Sequence, residues 1–320
     1  MTKPTVSIVV PAFSEAENVA VLHAEVKRAM ESGEHTWELI LVDDGSKDTT
    51  WQEITKLHAQ DERVRGLRLS RNFGHQYALF AGLRSARGDA VISMDADLQH
   101  PPEVLSRLLD EWSGGAKLVH TVRTDPASTG AFKRLTSRLY YRLYSFLSGV
   151  KLESGMADFR LLDRQVLNHL LEFREEGLFL RGLVQWVGFE SAKVHYVAQA
   201  RRAGQSKYTA RKMLRLAWTG ITSFSVVPLR VGIGVGVITS GISFFGIVYA
   251  MYSHLSPDVE TVPGWASVVA ILSFLFGILF ILLGVIGVYV GRVLIEVRSR
   301  PRFLIAETLG MDDHDPHGTV

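Results

Sequence analysis

The sequence predicts an α/β protein whose mostly parallel sheet carries a functional site, followed by a two-helix membrane hairpin. Three observations predict it. Over residues 6–123, β-branched runs alternate with helix-length amphipathic segments, the pattern of a parallel sheet with right-handed crossovers. Acidic residues stand just beyond three of the apolar runs, at Glu15/Glu17, Asp43/Asp44 and Asp95/Asp97. Two blocks, 231–252 and 265–291, contain no charged residue, and each exceeds the roughly 20 residues needed to cross a bilayer core.

Taken in order, Val6-Ser7-Ile8-Val9-Val10-Pro11-Ala12-Phe13 reads as a buried strand, because β-branched residues dominate and turn residues close it. A helix follows with apolar positions at Val19, Leu22 and Val26, and the Ser14-to-Glu17 spacing is that of a capping box. Residues 39–42 form a second strand ending in Asp43-Asp44-Gly45-Ser46, with a helix from about Asp48. Residues 64–69 form a third, followed by Arg71-Asn72-Phe73-Gly74-His75 and a helix over 78–84. The fourth, 90–94, runs into Asp95-Ala96-Asp97-Leu98-Gln99-His100-Pro101-Pro102-Glu103 and a helix over 103–112; a fifth, 117–122, ends at Arg123. Residues 155–164 are strand-like and lead into a helix over 165–171, with a helix over 179–187 and a strand over 191–197 beyond.

Parallel strands deliver their carboxyl ends to one edge, where α/β proteins bind ligands. Two carboxylates and an amide at a strand end are hard oxygen donors, suited to Mg²⁺ or Mn²⁺ shared with substrate phosphates. Asp-x-Asp alone fits a solvated capping turn equally well. The convergence of three acidic strand ends favours a site. No Walker-type glycine loop and no G-x-G-x-x-G follows the first strand, so a nucleotide here would be held by carboxylates and a metal.

Apolar positions recur at helical spacing over 130–148 beside Lys133, Arg134, Arg138 and Arg142. This pattern fits an interfacial membrane helix or a packed helix with a basic face. Residues 199–215 concentrate Arg201, Arg202, Lys207, Arg211, Lys212 and Arg215 around Gly204-Gln205-Ser206. That cluster can flank a membrane span, bind phosphate, or both. The segment joining the apolar blocks carries Asp258 and Glu260 but no Lys or Arg, whereas Arg292, Arg298, Arg300 and Arg302 follow the second block. The positive-inside rule then places both termini and the α/β domain in the cytoplasm. Glycines in both blocks allow close helix packing, including between protomers.

The totals narrow the function. A net charge of +2 over 320 residues gives no ground for a nucleic-acid partner, and the absence of cysteine excludes disulfides and thiolate metal sites. The amino terminus shows no signal-peptide pattern, since its short apolar run is cut by Pro11.

Pro11-Ala12-Phe13-x-Glu15-x-Glu17-Asn18, Val42-Asp43-Asp44-Gly45-Ser46, Asp95-Ala96-Asp97-x-Gln99-His100-Pro101, Asp158-Phe159-Arg160 and Arg201-x-x-Gly204-x-Ser206-Lys207-Tyr208 together resemble the inverting family 2 glycosyltransferases. More closely, the chain resembles the polyprenyl-phosphate glycosyltransferases: dolichyl-phosphate mannose synthase and its bacterial GtrB-like relatives with two carboxyl-terminal spans. The resemblance implies a GT-A catalytic domain over 1–208, an interfacial helix over 209–225, spans near 229–252 and 265–291 within 226–294, and a cytoplasmic tail over 295–320. It implies a bacterial inner-membrane enzyme that moves a sugar, glucose first among candidates, from a UDP-sugar (a GDP-sugar less so) to undecaprenyl phosphate, using Mg²⁺ or Mn²⁺. A homo-oligomer and a flippase for the product are further implied partners.

By resemblance, Pro11, Ala12, Glu15, Asp44, Asp95, Ala96 and Asp97 meet the donor, with Asp44 against the base. Asp95, Asp97 and Gln99 hold the metal. Arg123, Arg134, Arg201, Ser206 and Lys207 bind the acceptor phosphate, Arg123 and Arg134 matched by position more than by motif. Asp97, Asp158, Arg201 and Lys207 are the catalytic candidates. Asp158 is expected to orient acceptor or sugar, with a general base and a buried ion pair to Arg160 as its other readings. A processive polysaccharide synthase is disfavoured because Gln185-Trp186 lacks the Gln-x-x-Arg-Trp spacing and two spans make no channel. A silent membrane scaffold is disfavoured by the intact Asp95/Asp97/Gln99 set, and transfer to a soluble protein leaves the hairpin unexplained.

Overall fold

The computed structural model describes residues 5–31, 33–101, 103–123, 156–173, 180–197, 227–255 and 264–311. The helices read at 130–148 and 209–225, and the candidates Arg134, Arg201, Ser206 and Lys207, lie outside them. The chain forms two compact units, one holding every described strand and the other the two long helices.

In the first unit the elements run β1 (Val6–Ala12), α1 (Ala16–Glu31), β2 (Trp37–Asp43), α2 (Thr50–Gln60), β3 (Val64–Leu69), α3 (His75–Ser85), β4 (Ala90–Ser93), α4 (Glu103–Ser113), β5 (Leu118–Arg123), β6 (Met156–Asp163), α5 (Arg164–Glu172), α6 (Leu180–Trp186), β7 (Ser191–Tyr196) and β8 (Ile305–Leu309). The sheet order is β7-β5-β6-β4-β1-β2-β3-β8. β4, β1, β2 and β3 are parallel neighbours, as are β5 and β7. β6 is antiparallel to β4 and β5, and β8 to β3. The predicted α/β class with a mostly parallel sheet is what the structure contains.

β1 and β2 are buried along their whole lengths, which is why they read as nearly continuous apolar runs: helices cover both sheet faces. On one face Val6, Ile8 and Val10 join Leu22 and Val26 of α1, Ile54 of α2 and Leu105 of α4 in a single core. On the other, α3 lies so close that a Cβ on Gly82 would fall 2.4 Å from Val9 Cγ1 and 2.9 Å from Val42 Cγ2. Any side chain at 82 would push α3 off the sheet.

The start of α1 corrects the capping-box expectation. The helix begins at Ala16, and the Glu15 carbonyl accepts from the N–H groups of Asn18 and Val19. Ser14 has a left-handed backbone (φ 57°), and its N–H donates to Ser46 Oγ. Ser14 thus ties the β1 end to the β2 end, and Glu15 occupies the cap.

β8 is the element the sequence gives least notice of. It lies in the stretch read as a cytoplasmic tail, and its IAETL pairs with the β3 edge from Gly66↔Leu309 to Leu69↔Ile305. Pairing covers an edge that would otherwise present free backbone groups.

The second unit contains α7 (Val227–Leu255) and α8 (Trp265–Arg298), which pack on one another and enclose the predicted spans. Among the described residues Phe274–Arg298 is long and apolar enough to cross a membrane, and Val231–Gly246 is a shorter apolar stretch.

At the amino-terminal edge of the sheet, a buried polar network joins five segments. Glu38 accepts from Ser7 Oγ (2.5 Å), Arg65 Nη1 (2.6 Å) and the Arg87 N–H (2.9 Å), and Arg65 Nε donates to the Gly310 carbonyl (3.1 Å). Both ion-pair side chains are almost fully buried. Removing one partner would strand a buried charge, so Glu38→Ala should lose about 3–5 kcal/mol. The double change Glu38→Leu/Arg65→Met should recover most of that loss. Urea unfolding of the detergent-solubilised chain, followed by tryptophan fluorescence, measures both.

Candidate active site

Topology brings the acids together. β1, β2 and β4 are parallel neighbours, so Ala12, Asp43/Asp44 and Asp95/Asp97 leave the sheet at one edge. β6 runs the opposite way, with Ser93 opposite Arg160, so its first residues reach the same edge. Continuing that register sets Asp158 opposite Asp95. β5 is antiparallel to β6 and therefore ends at this mouth too, with Arg123 as its last residue.

Asp158 is the centre of the contacts. Its Oδ1 accepts from Arg160 Nη2 (2.7 Å) and Arg181 Nε (2.9 Å); its Oδ2 accepts from Arg181 Nη2 (2.9 Å) and Gln76 Nε2 (3.3 Å). His75 Nε2 stands 3.7 Å from the same Oδ2 and 3.5 Å from Asp95 Oδ1. Burial pushes the Asp158 carboxyl upward, but the adjoining His75 ring and the charges of Arg160 and Arg181 outweigh it and hold the group well below the ordinary carboxylate range. The ion-pair reading of Asp158 is therefore present, with Arg181 as a second, bidentate cation.

The neighbouring groups titrate the other way. Asp95 keeps 37% of its side-chain surface, yet burial lifts its pKa; His75 and His100 oppose the lift, and Asp158 and Asp97 add to it. For His75, burial favours the neutral ring, but the hydrogen bond to Asp158 and the charges of Asp95 and Asp158 prevail and raise its pKa. His100 differs. Its pKa falls, chiefly through burial, and its Nδ1 accepts the Asp95 N–H at 3.3 Å. That bond places the ring proton on Nε2, 3.9 Å from Asp95 Oδ2. His100 stacks on Phe159 at 4.5 Å and meets Tyr196 edge-on at 5.9 Å, so the Asp95 turn is anchored in the core.

Asp97 Oδ1 accepts the Gln99 N–H (3.2 Å) and Oδ2 accepts Gln99 Nε2 (2.9 Å). Arg123 Nη1 donates to Gln99 Oε1 at 3.4 Å. Between them Leu98 has a left-handed backbone (φ 58°) and a buried side chain, a conformation costing a non-glycine residue on the order of 1 kcal/mol. The turn is thus held open by packing, with its acids outward. Asp44 accepts the Phe73 and Gly74 N–H groups (2.8 and 2.9 Å), fixing the loop that leads to His75. Burial, the larger effect, raises the Asp44 pKa against those bonds. Glu15 Oε2 accepts from Asn18 Nδ2 (2.5 Å), and Pro11 and Ala12 are the buried last residues of β1.

The donor set fits a divalent cation: Asp95, Asp97 and Gln99 supply hard oxygens within one turn at the sheet's edge. Among the described residues no three acidic or imidazole side chains are grouped as a complete metal site. The ion would take one or two carboxylates here and fill its shell from substrate phosphates and water.

Several of these groups were not singled out in the sequence. His75 and Gln76 lie where a mouth loop meets a helix start, a position that alone could have flagged them. Arg181 lies on α6, and nothing local in the sequence links it to Asp158.

The family described as Glycosyl transferase family 2 matches residues 7–171. The uncharacterized glycosyltransferase YkcC of Bacillus subtilis (strain 168) is 38% identical over 307 residues, covering 96% of this chain and 95% of its own. The bactoprenol glucosyl transferase of Shigella phage SfX is 40% identical over 302 residues, with 94% and 98% covered. A prophage bactoprenol glucosyl transferase homolog of Escherichia coli (strain K12) is 38% identical over 302 residues, again covering 94% and 98%. With its acid-edged, mostly parallel sheet and this match, the chain belongs to glycosyltransferase family 2.

Proposed function

We propose that the protein transfers glucose, with inversion, from a UDP-sugar to the phosphate of undecaprenyl phosphate at a bacterial inner membrane. The observation that carries this reading is the match, along 94% of the chain including the apolar helices, to proteins named bactoprenol glucosyl transferase. The acid-lined mouth supports it chemically. Asp95 and Asp97, with Gln99, hold a Mg²⁺ or Mn²⁺ ion together with the donor diphosphate; Pro11, Ala12, Glu15, Asp44 and Ala96 surround the nucleoside. The ion supplies charge stabilisation to the leaving nucleoside diphosphate.

The acceptor's second pKa lies near 6, so at neutral pH its phosphate is already anionic and needs no base to make it a nucleophile. One of its oxygens attacks the anomeric carbon as the bond to the donor's β-phosphate oxygen breaks, and the electron pair leaves with the nucleoside diphosphate. Arg123, Arg134, Arg201, Ser206 and Lys207 bind the acceptor phosphate and offset repulsion between the two anions. Asp158 does not act as the base: a carboxylate held by two guanidinium groups is a poor proton acceptor. Its role is to position His75 and Arg181 at the mouth. α7 and α8 act as two spans that keep the mouth at the cytoplasmic leaflet, where the product awaits a flippase; close glycine packing between spans favours a homo-oligomer.

The test is a donor screen with purified protein, undecaprenyl phosphate, Mn²⁺ and a panel of UDP- and GDP-sugars, read as glycolipid by mass spectrometry. UDP-glucose should give the fastest turnover, and EDTA should abolish it. Asp97→Ala should lower kcat by about 10²-fold or more, the scale for removing a group that stabilises transition-state charge. Unchanged synthesis in that variant would remove the carboxylate from the chemistry.

Asp158→Asn should leave Arg160 buried beside a neutral amide. The folded state should lose about 3–5 kcal/mol, read in thermal or urea unfolding, and this loss should shrink at acid pH. The Asp158 pKa is depressed on folding, so its contribution is full above the unfolded pKa of about 4 and fades as pH falls through the folded value. The surviving activity should keep the wild-type pH profile; a lost acid limb would restore Asp158 as the base.

A further inference from the structure

β8 does more than close a sheet edge. A cavity of about 490 Å³ opens at the carboxyl ends of β1, β2 and β3, and Phe13, Ser46, Lys47, Arg68, Asn72 and Ala306 are among its lining residues. Phe13 follows β1, Ser46 and Lys47 follow β2, Arg68 belongs to β3, and Asn72 to the loop before α3. Ala306 comes from β8, after the last apolar helix.

The neighbouring residue engages the same wall. Glu307 Oε1 accepts from Arg68 Nη1 at 2.6 Å, and Oε2 accepts from Trp51 Nε1 at 2.9 Å. Arg68 Nε then lies 3.6 Å from Asp43 Oδ2, a fully buried oxygen without a hydrogen bond. Arg68 is thus suspended between a strong partner on β8 and a weak one on β2. The segment leading into β8 is fastened as well: the Leu304 carbonyl accepts the Ser70 N–H (2.8 Å), and Arg302 Nη2 donates to the Phe173 carbonyl (2.7 Å). A cavity walled by Lys47, Arg68 and Arg71 suits an anionic ligand, and it adjoins the Asp44 loop.

We infer that β8 completes the donor pocket: Ala306 forms part of its wall, and Glu307 is a positioning residue that sets Arg68 there, so nucleotide binding depends on the segment that follows α8. The inference rests on the reading of this mouth as a nucleotide-sugar site. It assigns to the carboxyl-terminal segment a function in substrate binding, beyond joining the membrane helices to the chain's end.

Calorimetric titration of the detergent-solubilised full chain with UDP, and separately GDP, in Mn²⁺ tests it. Ala306→Trp should raise the Kd of the bound nucleotide about tenfold or more. Thr308→Trp, two residues further along the same face and away from the cavity, should stay within about twofold of wild type. Glu307→Gln, which keeps the side-chain shape, should raise Kd and donor KM about three- to tenfold with kcat at saturating donor and Tm unchanged. Loss of kcat and Tm together would make Glu307 merely structural and overturn its assignment. Wild-type binding matched by Ala306→Trp would overturn the inference and leave the donor reading standing. Wild-type protein that binds neither nucleotide would bring down the donor reading, and the inference with it.

Discussion

A carboxylate with almost no solvent access must be surrounded by donors, and Asp158 meets that condition by drawing on three segments. Arg160 comes from its own strand, Gln76 and His75 from the start of α3, and Arg181 from α6. An unpaired charge in that place would cost several kcal/mol, so these segments adopt one mutual arrangement. The arrangement carries the rest of the mouth with it. His75 is delivered to Asp95, α3 is pinned at the end that Asp44 also grips, and β6 is held in register against β4 although it runs the opposite way. Antiparallel β6 is what allows a residue at the start of a strand to stand opposite one just past the end of its neighbour.

How much of this was legible in the sequence follows from how local each cause is. β1 to β4 could be read directly, because a strand buried on both faces must be a continuous apolar run bounded by turn residues. The gathering of Asp44, Asp95 and Asp97 could be read too, since parallel order alone forces it. The cap of α1 was misread because Ser14 has a tertiary partner, Ser46, that outcompetes the local capping geometry. β8 was illegible for a related reason: five residues with an exposed face carry little periodic signal, and what makes them a strand is the β3 edge they cover. The ion pair between Asp158 and Arg160 was visible as neighbours on one face of a strand, two residues apart. The bidentate Arg181 was not, being 23 positions away on another element.

Charge at the mouth is deliberately out of balance. Asp158 has its two guanidinium partners; Asp95 has His75 at 3.5 Å and the His100 ring at 3.9 Å, and Asp97 accepts from the Gln99 amide. In the proposed reaction a divalent cation would share the oxygens of Asp95 and Asp97 with the donor diphosphate. Environment separates the carboxylates on these adjacent strands: Asp158 is held by two guanidinium groups and fixes the frame, whereas burial raises the pKa of Asp95.

Acceptor chemistry then explains what such a site does not contain. A nucleophile that is already an anion needs alignment with the anomeric carbon and relief from repulsion by the donor's own phosphates, and both are matters of position and charge. Asp158, locked by guanidinium groups, and His100, buried in the core, are both poorly placed to take a proton from an acceptor. Ion pairs that fix Asp158 beside the half-buried Asp95 and Asp97 suit the proposed phosphate acceptor, which arrives already ionised. In the proposed reaction a polyprenyl chain would confine that phosphate to the bilayer surface, removing freedom that the reacting groups would otherwise have to lose.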